Sequence, residues 1–166
     1  MTRFYWWAGG IGSKSVALSG TVTTATESDI VAGGKTIILT LTGDTWVSAG
    51  ASFDAIRQDI INGLTSAQSE LLGWNNVVKA LQGVAGVVRT SAVIVTITLD
   101  AQATYLITAN ETITATVPAS ALTGAAALVA TPTFTITDVA VGGRTTKNTR
   151  AAPLGVEIGM NWRSAA

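Results

Sequence analysis

Histidine and cysteine are both absent from this 166-residue chain, so the chemistry to look for first is that of paired carboxylates. Their absence removes the commonest general base, the usual zinc ligand, thiolate metal sites, disulfides and every Ser-His-Asp or Cys-His arrangement in one step. Two acid pairs are close enough in sequence to consider, Glu27 with Asp29 and Asp54 with Asp59. A glycosidase needs one carboxylic acid to protonate the leaving oxygen and a second carboxylate as base or nucleophile. Spacing alone says little about that separation, and Asp54 and Asp59 fall on the polar side of an amphipathic stretch, where solvated acids are the ordinary expectation. Asp100 and Asp138 lack the clustered oxygen ligands of a calcium site. The glycine-containing stretches GVAGVV and IVAGGK have no strand-loop-helix context and are not phosphate loops. The residues therefore point away from an enzyme, and neither cofactor nor metal is expected.

Two other runs have types suited to binding. Phe4-Tyr5-Trp6-Trp7 places four aromatic residues in a row, followed by Gly9, Gly10 and Gly12. One reading makes this run an edge strand that covers the open end of the chain's own sheets. The other makes it an arm inserted into another subunit, because buried Tyr and Trp dominate interface energetics and a glycine hinge gives reach. Trp162, near the far end, fits the same contact. The basic residues Arg144, Lys147 and Arg150 recur every third position with Thr and Asn between them. Three charges are too few to dominate nucleic-acid binding at physiological salt. An acidic protein partner ranks first for this run, a solvated linker second and nucleic acid third.

The elements that must position these residues are mostly strands. Ser15 to Thr24 alternates small polar and apolar residues, and Lys35 to Val47 is rich in β-branched ones. Glu27 to Gly34 reads as a short turn-forming link whose glycines adopt positive φ. From Ser52 the period changes, with Phe53, Ile56, Ile60 and Leu64 on one side of an amphipathic helix. Ser52 is its expected N-cap, and Asp54 is well placed near the positive end of the helix dipole. Thr65 to Gln68 has capping-box spacing, so a second short helix is expected through Leu72 after a break at Gly63. Val93, Val95, Ile97 and Leu99 alternate with Ile94, Thr96 and Thr98, the clearest period-two pattern in the chain. Thr104 to Val117 repeats it, with Asn110-Glu111 as a turn and Pro118 ending the strand. After the alanine-rich linker Gly124 to Val129, Ala130 to Thr137 supplies a last strand.

The expected fold is mainly β: an Ig-like antiparallel β-sandwich of six or seven strands with an inserted helical hairpin near 52–72. It occupies residues 15–137, between an aromatic and glycine-rich N-terminal arm, 1–14, and a basic C-terminal arm, 138–166. Threonine and alanine each occur 26 times, and threonine within strands supports an outer sheet face without adding charge.

The formal net charge is zero, 12% of residues are charged and 48% are hydrophobic, so the bulk composition advertises no attraction to nucleic acid or to an anionic membrane. The zero conceals a split. Residues 1–14 and 139–166 hold six basic residues against one acid, while 15–138 hold nine acids against four basic residues. The apolar run Phe4 to Ala8 is too short for the core of an export signal, and none is expected. No stretch approaches the ~20 apolar residues of a membrane-spanning helix.

From about Leu18 to Ile136, the sequence SGTVTTATESDIVAGGKTIILTLTGDTWVSAGASFDAIRQDIINGLTSAQSELLGWNNVV, with VVRTSAVIVTITLDAQATYLITANETITATVPASALTG and TPTFTI, resembles the Ig-like domains of tailed-bacteriophage head-surface and tail-associated proteins. The opening RFYWWAGG is similar to the aromatic-glycine starts of phage surface proteins. The resemblance carries no catalytic residue. It implies a virion structural protein assembled in the host cytoplasm, foremost a capsid decoration or cement protein on the head surface. The alternative is a neck or tail adaptor. The implied partners are the major capsid protein or neck and tail subunits and further copies of the chain as a homo-oligomer, with neither nucleic acid nor membrane. A separate reading is a module that binds host-surface carbohydrate weakly, with Trp46 or Trp74 exposed to stack on sugar rings.

Overall fold

The computed structural model describes residues 16–22 and 25–139, which form two mixed β-sheets with three α-helices. In chain order the elements are β1 (Val16–Val22), β2 (Ala25–Thr26), α1 (Glu27–Ala32), β3 (Thr36–Thr42) and α2 (Ala51–Asn62). Then come β4 (Leu64–Ser66), α3 (Val78–Leu81), β5 (Val87–Arg89), β6 (Ile94–Thr98), β7 (Glu111–Ala115), β8 (Leu128–Ala130) and β9 (Thr133–Thr137). The larger sheet has the order β5-β6-β3-β1-β8 and the smaller β2-β9-β7-β4.

The β-branched runs become strands because each can bury every second side chain. In β3, Ile37, Leu39 and Leu41 are buried while Ile38 and Thr42 are exposed; in β6, Val95 and Ile97 are buried and Thr98 is exposed. These inward residues join Ile113 of β7, Ile136 of β9 and Phe53, Ile56 and Ile60 of α2 in one hydrophobic cluster. Each such side chain contributes about 1.5–3 kcal/mol on leaving water, which makes this shared core the main source of stability. The period-two alternation expected around Val93 to Leu99 is present as β6, with the faces assigned as the sequence predicts.

The expected all-antiparallel pattern is corrected at two places. β1 pairs with β3 antiparallel but with β8 in parallel, Val16 opposite Leu128, and β2 pairs with β9 in parallel, Ala25 opposite Ile136. The chain passes from the larger sheet to the smaller between β1 and β2, and does so again between β8 and β9. The first and last described strands therefore run side by side along the seam between the sheets. The alanine-rich stretch read as a linker supplies β8.

The helical hairpin is the second correction. α2 forms as its apolar spacing requires, but it starts at Ala51 with Gly50 as N-cap, at φ 86°, so Ser52 lies inside the helix and does not cap it. Its end at Gly63 is set by a close approach: the Gly63 carbonyl accepts from Thr116 N–H at 3.0 Å, and a side chain at Gly63 would collide with the Thr116 carbonyl. The helix expected through Leu72 does not form. Leu64 to Ser66 is β4, paired with Ile113 to Ala115 of β7, and the Ser66 hydroxyl donates to Gln68 Oε1 at 2.8 Å where a capping box was expected. Pairing with β7 overrides the local capping pattern.

Glu27 to Ala32, expected as a turn, is a helix because Thr26 and Asp29 do form a capping box. The Asp29 N–H donates to the Thr26 hydroxyl at 3.3 Å, and Asp29 Oδ2 accepts from Thr26 N–H at 2.9 Å. The glycines behind it do take the expected positive φ, 73° at Gly33 and 79° at Gly34. At Gly33 a Cβ would also sit 2.5 Å from Ala101 N, so only glycine fits.

Candidate functional site

The eight residues singled out by sequence for partner contact, Phe4, Tyr5, Trp6, Trp7, Arg144, Lys147, Arg150 and Trp162, lie outside the described residues. Within the described part, the carboxylates and one sheet face are the two features that bear on function.

The carboxylates act as loop fasteners. Glu111, expected in a turn, is instead the first residue of β7 and only 1% exposed. Both of its oxygens lie 3.0 Å from Trp74 N–H, and Tyr105 O–H donates to Oε2 at 2.7 Å. Trp74 in turn donates its indole N–H to the Leu64 carbonyl at 3.1 Å and meets Phe134 edge to face, ring centres 5.8 Å apart. Burial first, and the hydrogen bond to Glu111 second, push the Tyr105 phenol well above its ordinary range, so it serves as a fixed donor. Glu70 accepts from Thr108 N–H at 2.9 Å, Asp44 from Gly124 N–H at 2.9 Å and from Thr45 N–H at 2.8 Å, and Asp100 from Gly83 N–H at 2.7 Å. Each of these carboxylates joins backbone segments that are distant in sequence, except for the local Asp44–Thr45 contact.

The acid pairs proposed as catalytic candidates have separate employments. Asp29 caps α1 and contacts Lys35 Nζ at 3.3 Å; hydrogen bonds from the Thr26 backbone and then its hydroxyl hold its carboxyl below the usual range, with Lys35 adding to the effect. Glu27 is buried beside the α1 start. On α2, Asp54 pairs with Arg57 at 2.6 Å, and the Arg57 guanidinium lies 5.8 Å from the centre of the Phe53 ring. Asp59 is exposed. Among the described residues no group of three or more acidic, histidine or cysteine side chains is placed to hold a metal ion, and no helix is long and apolar enough to cross a membrane.

Trp46 and Trp74, read as exposed stacking platforms for sugar, are each 1% exposed. Their large apolar rings are worth more in the core than at the surface. Trp46 is held there by a bridge to Leu122, and Trp74 by the Glu111 and Leu64 contacts above.

The second feature is the outward face of the larger sheet. Strand register brings Val88, Thr96, Ile38 and Thr21 into one cross-strand row over β5, β6, β3 and β1. The next row holds Ile94, Thr40 and Ser19, and the row on the other side Thr98 and Thr36. All are neutral. Ile38 is 36% and Val88 46% exposed, high for residues of this size. The Ser19 hydroxyl donates to the Thr40 carbonyl at 3.2 Å, and the Thr90 hydroxyl to the Ile94 carbonyl at 3.3 Å, so part of the hydroxyl inventory is already turned down into the sheet. Sequence reasoning found the threonine-rich face as a class but not its row structure, which depends on register between strands far apart in the chain.

Comparison with protein-family models, curated proteins and solved structures returned no match.

Proposed function

We propose that the chain is a non-enzymatic structural protein of a tailed-bacteriophage virion, foremost a decoration or cement protein on the capsid surface. In this reading residues 15–137 form an Ig-like sandwich that acts as a rigid body. The ends fix it to neighbouring subunits through Phe4 to Trp7 and Trp162 and through the charge of Arg144, Lys147 and Arg150.

The observation that carries the proposal is the employment of the carboxylates. Glu70, Asp100 and Glu111 direct their oxygens at backbone N–H groups of distant loops, as Asp44 does at Gly124. Acids used in this way rigidify a scaffold. The likeness of residues 18–136 to Ig-like virion domains supplies the setting, and the contrast between basic ends and an acidic middle supplies a means of attachment to an acidic neighbour. The burial of Trp46 and Trp74 removes the platforms on which the carbohydrate reading rested.

Quantitative mass spectrometry of purified particles tests the proposal by comparing copies of this chain with copies of the major shell subunit. A number comparable to the shell subunit is expected for a decoration or cement protein. A handful of copies would move the chain to the neck or tail, and its absence from particles would overturn the virion reading.

A further inference from the structure

From the register of the larger sheet we infer that its outward face is a self-complementary docking surface for the same face of a second copy. The central row reads large, small, large, small: Val88, Thr96, Ile38, Thr21. Place a twofold axis in the interface, parallel to the strands and midway between β6 and β3. The row then meets its own reversal. Val88 of one copy lies over Thr21 of the other, and Ile38 over Thr96, so each large side chain faces a threonine. In the flanking rows the same operation sets Ile94 over Thr40 and Thr98 over Thr36. An isologous contact requires this kind of self-match, and aligned packing of two sheets requires neutral side chains that interdigitate across a gap of about 10 Å.

Charge and area define the strength. The matched rows carry no charged side chain, so no like charges meet across the axis and the association is insensitive to salt. Four strands about 4.8 Å apart, over about six residues at 3.3 Å, give a flat face of roughly 400 Å². That is well below the about 800 Å² per partner of a standard stable interface. The dimer is therefore weak and reversible, and it becomes populated where copies are held at high local concentration.

The association belongs to the purified chain and does not depend on the virion reading, so the two fail separately. Sedimentation equilibrium of the full chain is expected to show concentration-dependent dimerisation that is the same at low and high salt. Thr96→Arg and, independently, Val88→Lys are expected to leave a folded monomer, with far-ultraviolet circular dichroism as the check on folding. Because the chain has no cysteine, a geometric test is available. A Thr21→Cys/Val88→Cys double variant is expected to form covalent dimers with a short bismaleimide. Either single variant is not, since like residues sit at opposite ends of the row. A strictly monomeric chain, a dimer that survives both charge substitutions, a dimer dissolved by salt, or cross-linking of the single variants as efficient as that of the double variant would each overturn the inference.

Discussion

The end of the molecule around Glu111 and the outward face of the larger sheet are built from opposite materials. At the first, a carboxylate that is 1% exposed receives Trp74 N–H and Tyr105 O–H, with Glu70 and Gln68 fastening neighbouring loops beside it. At the second, threonine, serine, isoleucine and valine are arranged in rows with no charge at all. The contrast shows where this chain uses its few ionisable groups. Glu111, Glu70, Asp44 and Asp100 go to the interior and to the loops, where a charge-assisted hydrogen bond fixes backbone that no strand partner holds. The outward sheet face is neutral and regular.

The largest effect should come from breaking the buried end. Glu111→Ala strands the Trp74 N–H and the Tyr105 O–H away from water, and two unsatisfied donors at about 1–3 kcal/mol each predict a loss of about 3–5 kcal/mol in denaturant unfolding. Gly63→Ala drives a methyl into the Thr116 carbonyl between α2 and the chain beyond β7, for an expected loss of about 2–3 kcal/mol by the same measurement.

Tyr105→Phe removes one donor and should cost about 1–2 kcal/mol. It also carries a pH signature. The folded state favours the neutral phenol, so this contribution is fully present below the ordinary pKa of 10.0 and is lost as the pH rises above it. The wild type should therefore lose stability in alkali more steeply than Tyr105→Phe.

Thr26→Ala, which opens the α1 capping box, should cost about 1 kcal/mol. The Asp29 carboxyl in that box is held below its ordinary value of 3.8, so its contribution is present above that pH and is lost as the pH falls through the lower folded value. Acid titration of Thr26→Ala should accordingly show a flatter profile. The smallest effect belongs to the neutral face: Ile38→Thr should change monomer stability by less than about 0.5 kcal/mol, because that side chain already meets solvent. A loss above 1 kcal/mol there would mean that the face is structural in the monomer, and the comparison would fail.

The same contrast governs what was legible in the sequence. Elements that answer to their own periodicity, β1, β3, α2, β6 and β9, stand where the alternation and the three-to-four spacing of apolar residues predict them. Elements decided by a distant partner do not. Thr65 to Gln68 carries a capping pattern but becomes β4 because Leu64 to Ser66 pairs with β7. Tyr105 to Thr108 alternates like a strand, yet the backbone there is irregular, with Tyr105 turned inward to Glu111 and Thr108 held by Glu70. Asn110-Glu111 has turn composition, and nothing local announces that Glu111 is the buried acceptor of a tryptophan N–H from far up the chain. A lone acid beside an alternating run was the available signal, and it indicates a buried partner only once that partner's position is known. Trp46 and Trp74 were misplaced for the same reason: composition gives a tryptophan's size and leaves open which side of a loop it takes.

One feature of the seam governs the order in which the molecule can come together. The first strands of the described chain find their parallel partners in the last ones, Val16 with Leu128 and Ala25 with Ile136. Contacts that close loops of this length are entropically expensive and set a slow step. During synthesis β1 can pair with β3 early, but its other edge and the whole of β2 stay open until β8 and β9 have left the ribosome. Completion of the fold thus waits for its last strands, and a ribosome stalled before residue 128 would hold a chain with two open strand edges, the state in which such a protein is most exposed to aggregation.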